Sequence, residues 1–505
     1  MRHALVRGGQ LVVATLLVSS GSFALPPAHQ TDSVDSAPLF RSLGHVALHE
    51  APYAHSRAAV RERFVELNLA AFDPALEAID IDLFDGKRWR MTQTGYEVRG
   101  PGDYTWRGRI RLEDGREGTA TLSVRSGLVA GLINTPDGTA YEIQPQLDGR
   151  QLLAELDHDK YQPCGEHLVP APRPQIQAEP ISQYADDGST LDIMVVYTDD
   201  ARAAAGGTAQ IEATVQSAVD LTNTAYANSQ IVPRLRLVHT SELAYTETGD
   251  VNADLNFVTN DPTVAALRNQ YGADLVSFIV ETSGYCGVGW LMTAAESSFA
   301  SHAFNVVLRT CAAGNLTLAH EAGHNQGCNH DPANSGGSSI YPYAYGHFVN
   351  GSYRTIMSYT SGCTSGCPKA PHFSNPAVSY AGQPTGIANQ RDNHQTINNT
   401  ASTVANFRAS IGTPMAGPTN LGLSFRGKRK VTLTWADNSD NEAGFYVYRW
   451  NGTDWVQVAS APADAETVTV TGLKPGKRYT FVVRAYSGDG DLSTMSNQLV
   501  VKTKS

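Results

Sequence analysis

His320-Glu321-Ala322-Gly323-His324-Asn325-Gln326-Gly327-Cys328-Asn329-His330 sets three imidazoles, a carboxylate and a glycine at fixed intervals. The pattern H-E-x-x-H-x-x-G-x-x-H is the extended signature of a catalytic zinc site, and a chance match is on the order of one in ten thousand such sequences. Residues 315–326 read as a helix, with Asn315 of a capping type and no proline inside. His320 and His324 stand one helical turn apart, so they share a face and can share one metal. Glu321 follows the first ligand and can reach a water at the metal without being a ligand itself. Gly327 stands where the helix should stop, because glycine accepts the left-handed backbone of a sharp turn. That turn brings His330 round as third ligand. Three neutral nitrogens leave a fourth position open, which separates a catalytic zinc from a closed structural one. Zinc held this way lowers the pKa of a ligated water to roughly 7 and polarises a scissile carbonyl. Glu321 then serves as general base and passes the proton to the leaving amine. The competing reading, an amphipathic helix with surface histidines, leaves the Glu, the Gly and the third His without a common cause.

These residues resemble the metzincin metallopeptidases. A second element supports the resemblance: Thr355-Ile356-Met357-Ser358-Tyr359 follows His330 by about one loop's length and is similar to the Met-turn, in which a methionine packs beneath the metal. In astacin-like and serralysin-like members, a tyrosine at the place of Tyr359 is a hinged extra ligand that stabilises the tetrahedral intermediate. The alternative is a packed tyrosine whose hydroxyl bonds elsewhere. The run His-Glu-x-Gly-His-Asn-x-Gly-x-x-His followed by Asp331 is closest to the adamalysin (reprolysin) branch. That branch usually has a different residue where Tyr359 stands. The resemblance covers roughly residues 191–411. It implies an α/β (α+β) domain with a mixed sheet and a zinc-binding helix, and an endopeptidase whose substrate pairs along an exposed sheet edge.

At 505 residues the chain has room for three or more domains, and a net charge of −11 with no basic run argues against nucleic acid as partner. Residues 1–24 read as a signal peptide: Arg2 and Arg7 precede a short apolar stretch, and Ser22-Phe23-Ala24 offers a small-x-small cleavage site. No other stretch is a candidate membrane span. The expected location is extracellular, where disulfides persist. There are six cysteines. Connectivity is not readable from spacing; the pairs expected here are Cys286–Cys311 and Cys363–Cys367. Cys328 is most simply a small buried apolar residue, otherwise a bridge partner.

Residues 25–185 read as a β-rich propeptide. Alternation suggests strands over 104–112, 118–124 and 128–133, with turns at Asp114-Gly115 and Asp137-Gly138. Four prolines in 169–180 mark an exposed linker, a natural site of activating cleavage. Near its start, Gln162-Pro163-Cys164-Gly165 resembles a cysteine switch, in which a propeptide thiolate fills the open zinc position. A bridge to a mature cysteine and an idle thiol are the alternatives. The peptidase domain is placed at 186–412. A continuous apolar strand opens it at 191–197, followed by a helix at 209–228, strands at 235–238 and 275–280, a strand nearest the site at 305–309, and a closing helix at 391–409. His302, His347, His372 and His394 lack ligand spacing to the motif and read as surface or structural. Residues 413–505 resemble a fibronectin type III module, an all-β sandwich with Trp435 as core anchor and Tyr479 as a tyrosine-corner residue. That module is either a spacer or a binder of a surface, polysaccharide or protein.

The reading that results is a secreted zinc endopeptidase made as a latent zymogen and acting on proteins or peptides. His320, His324 and His330 are its metal ligands, Glu321 its base, and Gly327 and Met357 its supports. Tyr359 and Cys164 are the further candidates. One catalytic Zn2+ is expected, and a structural Ca2+ is left open. The rivals are an adhesion protein with a vestigial zinc domain, and a zinc hydrolase acting on a non-peptide bond.

Overall fold

A computed structural model describes residues 36–41, 56–74, 76–100, 102–147, 149–166, 168–170, 186–410, 415, 417–439, 442–487 and 492–505. The expected signal segment and linker residues 171–180 lie outside the described residues.

The N-terminal region forms one ten-stranded sheet. The three expected strands are Asp103–Arg111, Glu117–Arg125 and Leu128–Asn134, joined as an antiparallel meander. Alternate residues such as Trp106, Leu122 and Ile133 fill its core. Gly115 and Gly138 take φ of 86° at the expected turns, a conformation that glycine adopts at little cost.

The central domain is built on a five-stranded sheet in the order Arg234–Glu242, Thr190–Tyr197, Leu275–Val280, Phe304–Leu308, Gly287–Gly289. The first four run parallel and the last antiparallel, so the sheet is mixed as expected. Thr190–Tyr197 reads as a continuous apolar run because both of its faces are covered. Ile193, Val195 and Tyr197 enter one core, while Met194 and Val196 enter the other. The strand expected over 305–309 is Phe304–Leu308, and one strand that was not expected, Gly287–Gly289, lies outside it at the sheet edge. Three residues with two glycines carry no alternation by which a strand could be recognised.

The helix Thr208–Asn228 buries Ile211, Val215, Ala218 and Val219 against the sheet. Its opposite side is polar and is buried too, because the N-terminal sheet lies on it. Ser123 donates to Asp220 at 2.6 Å, Thr105 bonds the same carboxylate, and Thr121 meets Thr224 at 2.9 Å. Asn393–Val404 closes the domain.

Residues 417–505 form a sandwich of one three-stranded and one four-stranded sheet. Trp435 packs on Phe445 in its core, and the Tyr479 hydroxyl accepts from the Lys474 N–H at 2.8 Å, which is the tyrosine corner. Tyr446, Tyr448 and Val482 of this module cluster with Val98 of the N-terminal sheet. Both expected disulfides are present, Cys286–Cys311 and Cys363–Cys367, and Cys164 and Cys328 are buried free thiols.

Candidate active site

The motif helix is Thr317–Asn325, shorter at its start than the sequence suggests. Asn315 does not cap it. Leu316 occupies the cap position in a left-handed conformation (φ 55°), and the Asn315 amide instead donates to the Thr317 hydroxyl at 3.1 Å. The far end behaves as expected. The Gly327 N–H bonds the His324 carbonyl at 3.0 Å, and the Cys328 N–H bonds the Gly323 carbonyl at 2.9 Å. This is a Schellman turn with glycine in the left-handed position, φ 91°. A Cβ at Gly327 would also come within 2.9 Å of the Ile340 side chain. Gly327→Ala is therefore expected to cost about 1–3 kcal/mol and to loosen His330. Thermal unfolding with and without chelator measures both effects.

The three imidazoles converge. The Nε2 atoms of His320 and His330 are 3.1 Å apart, and those of His324 and His330 are 3.0 Å apart. Each Nδ1 faces a backbone carbonyl: Ile356 at 2.8 Å, Cys328 at 2.8 Å and Asn334 at 3.2 Å. A carbonyl accepts only from N–H, so each Nδ1 carries the proton and each Nε2 turns a lone pair inward. Three lone pairs this close repel unless a cation lies between them. Their spacing is near the roughly 3.3 Å expected between tetrahedral ligands on zinc. The donor set therefore fits the metal.

Glu321 lies beside this cluster with both oxygens buried and without a hydrogen bond. Burial pushes its pKa up to about 8. Its room comes from the edge strand: a Cβ at Gly287 would sit 2.7 Å from Oε1, and one at Gly289 would sit 3.2 Å from Oε2. Met357 is fully buried beneath the helix, and Gly323 permits it, since a Cβ there would meet the Met357 sulfur at 2.9 Å. Asp331 ties the third histidine's turn to the Met-turn by accepting from the Tyr359 N–H at 3.1 Å and the Asn334 amide at 2.9 Å. The roles of Gly287, Gly289 and Gly323 were not read from the sequence. A glycine kept for close approach looks like any other glycine until the neighbour is known.

The N-terminal region reaches into this site. The Cys164 sulfur, a His320 ring nitrogen and a Glu321 oxygen all lie within 4.8 Å of one another. The segment pairs with the edge strand: the Cys286 N–H bonds the Pro163 carbonyl at 3.0 Å, and the Gly165 N–H bonds the Gly287 carbonyl at 2.7 Å. The Tyr359 ring lies 4.2 Å from the His330 ring, centroid to centroid. Its hydroxyl donates to the Cys164 and Gly165 carbonyls at 3.1 and 3.2 Å. In this state the hydroxyl is engaged by the N-terminal segment.

Two titrating groups report on this docking. Glu142 accepts from the Gly314 N–H at 3.1 Å, and burial raises its pKa from 4.5 to about 7. Its contribution is full below pH 4.5 and is lost as pH rises through 7. His158 lies against the Gly314 carbonyl, and burial, aided by Arg354 and Lys369, lowers its pKa from 6.5 to about 3. Its contribution is full above pH 6.5 and is lost as pH falls through 3. The two slopes oppose each other, so wild-type docking should vary little from pH 4.5 to 6.5. Glu142→Gln should then weaken docking as pH falls, and His158→Gln should strengthen it. Dissociation of the two parts after cleavage of the linker measures this.

Comparison with known proteins decides the family. The profile of Metallo-peptidase family M12 matches residues 187–374, and the fibronectin type III profile matches 416–502. A peptidyl-Asp metalloendopeptidase of Xanthomonas campestris pv. campestris is 32% identical over 420 residues, 79% of this chain and 97% of that protein. The chain belongs to this family of zinc metalloendopeptidases. A peptidyl-Asp metalloendopeptidase of Stenotrophomonas maltophilia is 33% identical over 375 residues, 68% of this chain and 86% of its own length. Chitinase A1 of Niallia circulans is 35% identical over 106 residues, 21% of this chain and 14% of the chitinase. The family implies a catalytic zinc, and the histidine triad is present to hold it.

Proposed function

We propose that the chain is a secreted endopeptidase, made as a latent precursor, that cleaves proteins beside aspartyl residues. His320, His324 and His330 hold the metal, which when bound supplies Lewis acidity to the attacking water and the scissile carbonyl. Glu321 takes the proton of the attacking water and delivers it to the leaving amine. An extended substrate lies along Gly287–Gly289 and pairs through its backbone. The observation that carries the mechanism is the inward convergence of three Nε2 lone pairs beside a buried, unbonded carboxylate. The preference for aspartate follows the relatives' names. Residues 25–185 act as propeptide, with Cys164 as the thiol that occupies the site. Casein hydrolysis by the activated chain, with Glu321→Ala in parallel, tests the assignment.

A further inference from the structure

Behind Glu321 lie two cations without an acid. Lys369 is 6% exposed and Arg354 5% exposed. They sit on paired backbone segments: the Ala370 N–H bonds the Arg354 carbonyl at 2.8 Å, and the Arg354 N–H bonds the Pro368 carbonyl at 3.1 Å. The Lys369 amine donates to the Asn315 carbonyl at 2.8 Å, just before the motif helix. Arg354 donates from Nη1 to the Ser358 carbonyl of the Met-turn at 3.3 Å, and its Nε is buried with no partner. Among the described residues, neither side chain is joined to a carboxylate in an ion pair. His158 and Cys164 of the N-terminal segment lie near enough to feel both charges, and Asp159 of that segment acts on Arg354 through space without bonding it. Burial, followed by Arg354, lowers the Lys369 pKa from 10.5 to about 7.

Two like charges buried together are costly unless an anion joins them. Glu321 acts on Lys369 through space but does not fill this role, since its oxygens bond neither cation. The arrangement lies between the N-terminal end of the motif helix and the Met-turn, beside the catalytic carboxylate. We propose that Lys369 and Arg354 form a carboxylate-binding subsite for the acidic side chain beside the scissile bond. The inference rests on the endopeptidase reading above. A guanidinium and an ammonium together offer the several directed donors that a carboxylate accepts. Their desolvation makes an uncharged isostere a poor substitute, because it leaves both cations unpaired.

The test uses the full chain, zinc-loaded and activated by limited proteolysis, on peptides that differ only in Asp, Asn or Ala at one position flanking the bond. The expected kcat/KM ratio of Asp over Asn is about 100 or more. Lys369→Met should collapse that ratio to below about 5, and Lys369→Arg should restore much of it. Arg354→Met serves the same end if Lys369→Met fails to fold. A wild type that cleaves without preferring the acid overturns the proposal, as does a folded Lys369→Met enzyme that keeps the full ratio. A wild type that cleaves no peptide and no casein overturns the endopeptidase reading instead, and this inference falls with it.

Discussion

Glu321→Ala is expected to keep one zinc per chain and its fold, while casein hydrolysis falls about 1000-fold or more. General base catalysis supplies roughly 100- to 10000-fold, and in the proposed mechanism the same carboxylate also returns the proton to the leaving group. Zinc should remain because the three histidines are held without Glu321: their Nδ1 atoms are anchored on the carbonyls of Ile356, Cys328 and Asn334. The fold should remain because the carboxylate makes no bond within the peptidase domain. Both oxygens are buried, and their near polar neighbour is the Cys164 thiol of the N-terminal region, so removal deletes mainly a desolvated acid. The variant should melt no lower than the parent, the usual sign of a residue kept for chemistry at the expense of stability. Metal content, melting temperature and casein assay check the three parts separately. Activity within tenfold of the parent would sink the mechanism.

Cys164→Ser should partly release the unprocessed chain from latency, raising its peptidase activity by about 10- to 100-fold. Thiolate is a strong zinc ligand and a hydroxyl is a poor one. In this fold the Cys164 sulfur stands beside His320 and Glu321, within 4.8 Å of each ligand atom. Release should be incomplete because the segment does more than present a thiol. Its backbone pairs with the edge strand at Pro163, Gly165 and Leu168, along the groove an extended substrate needs. Full activity should require cleavage between the N-terminal region and Asp186. The measurement is peptide hydrolysis by intact Cys164→Ser and parent chains before and after limited proteolysis. An intact variant as silent as the parent would show that backbone occupancy alone maintains latency.

Much of the site was legible in the sequence because its geometry is local. A helix places His320 and His324 on one face, and a left-handed glycine at 327 brings His330 back, so the ligand set is written in one short run. The Met-turn was readable as a second short run at a fixed distance. The strand Thr190–Tyr197 and the helix Thr208–Asn228 declared themselves by apolar runs and helical spacing. The Asn315 cap failed for a local reason as well. A good capping residue lies one position too early, and the helix begins instead after Leu316 in a strained conformation.

By itself, the sequence placed three histidines, a carboxylate, a left-handed glycine turn and a buried methionine in two short runs. Each depends on residues close together in the chain, where backbone geometry leaves few choices. Only the tertiary structure decided that Gly287–Gly289 borders Glu321, that Cys164 reaches His320, and that Lys369 and Arg354 share a buried place without an acid. It also decided that the polar side of Thr208–Asn228, including Asp220, is buried by the N-terminal sheet. These facts join residues separated by tens to more than a hundred positions. Their proximity is set by how sheets and helices pack to exclude water, and periodicity within one segment carries no record of which other segment will cover it.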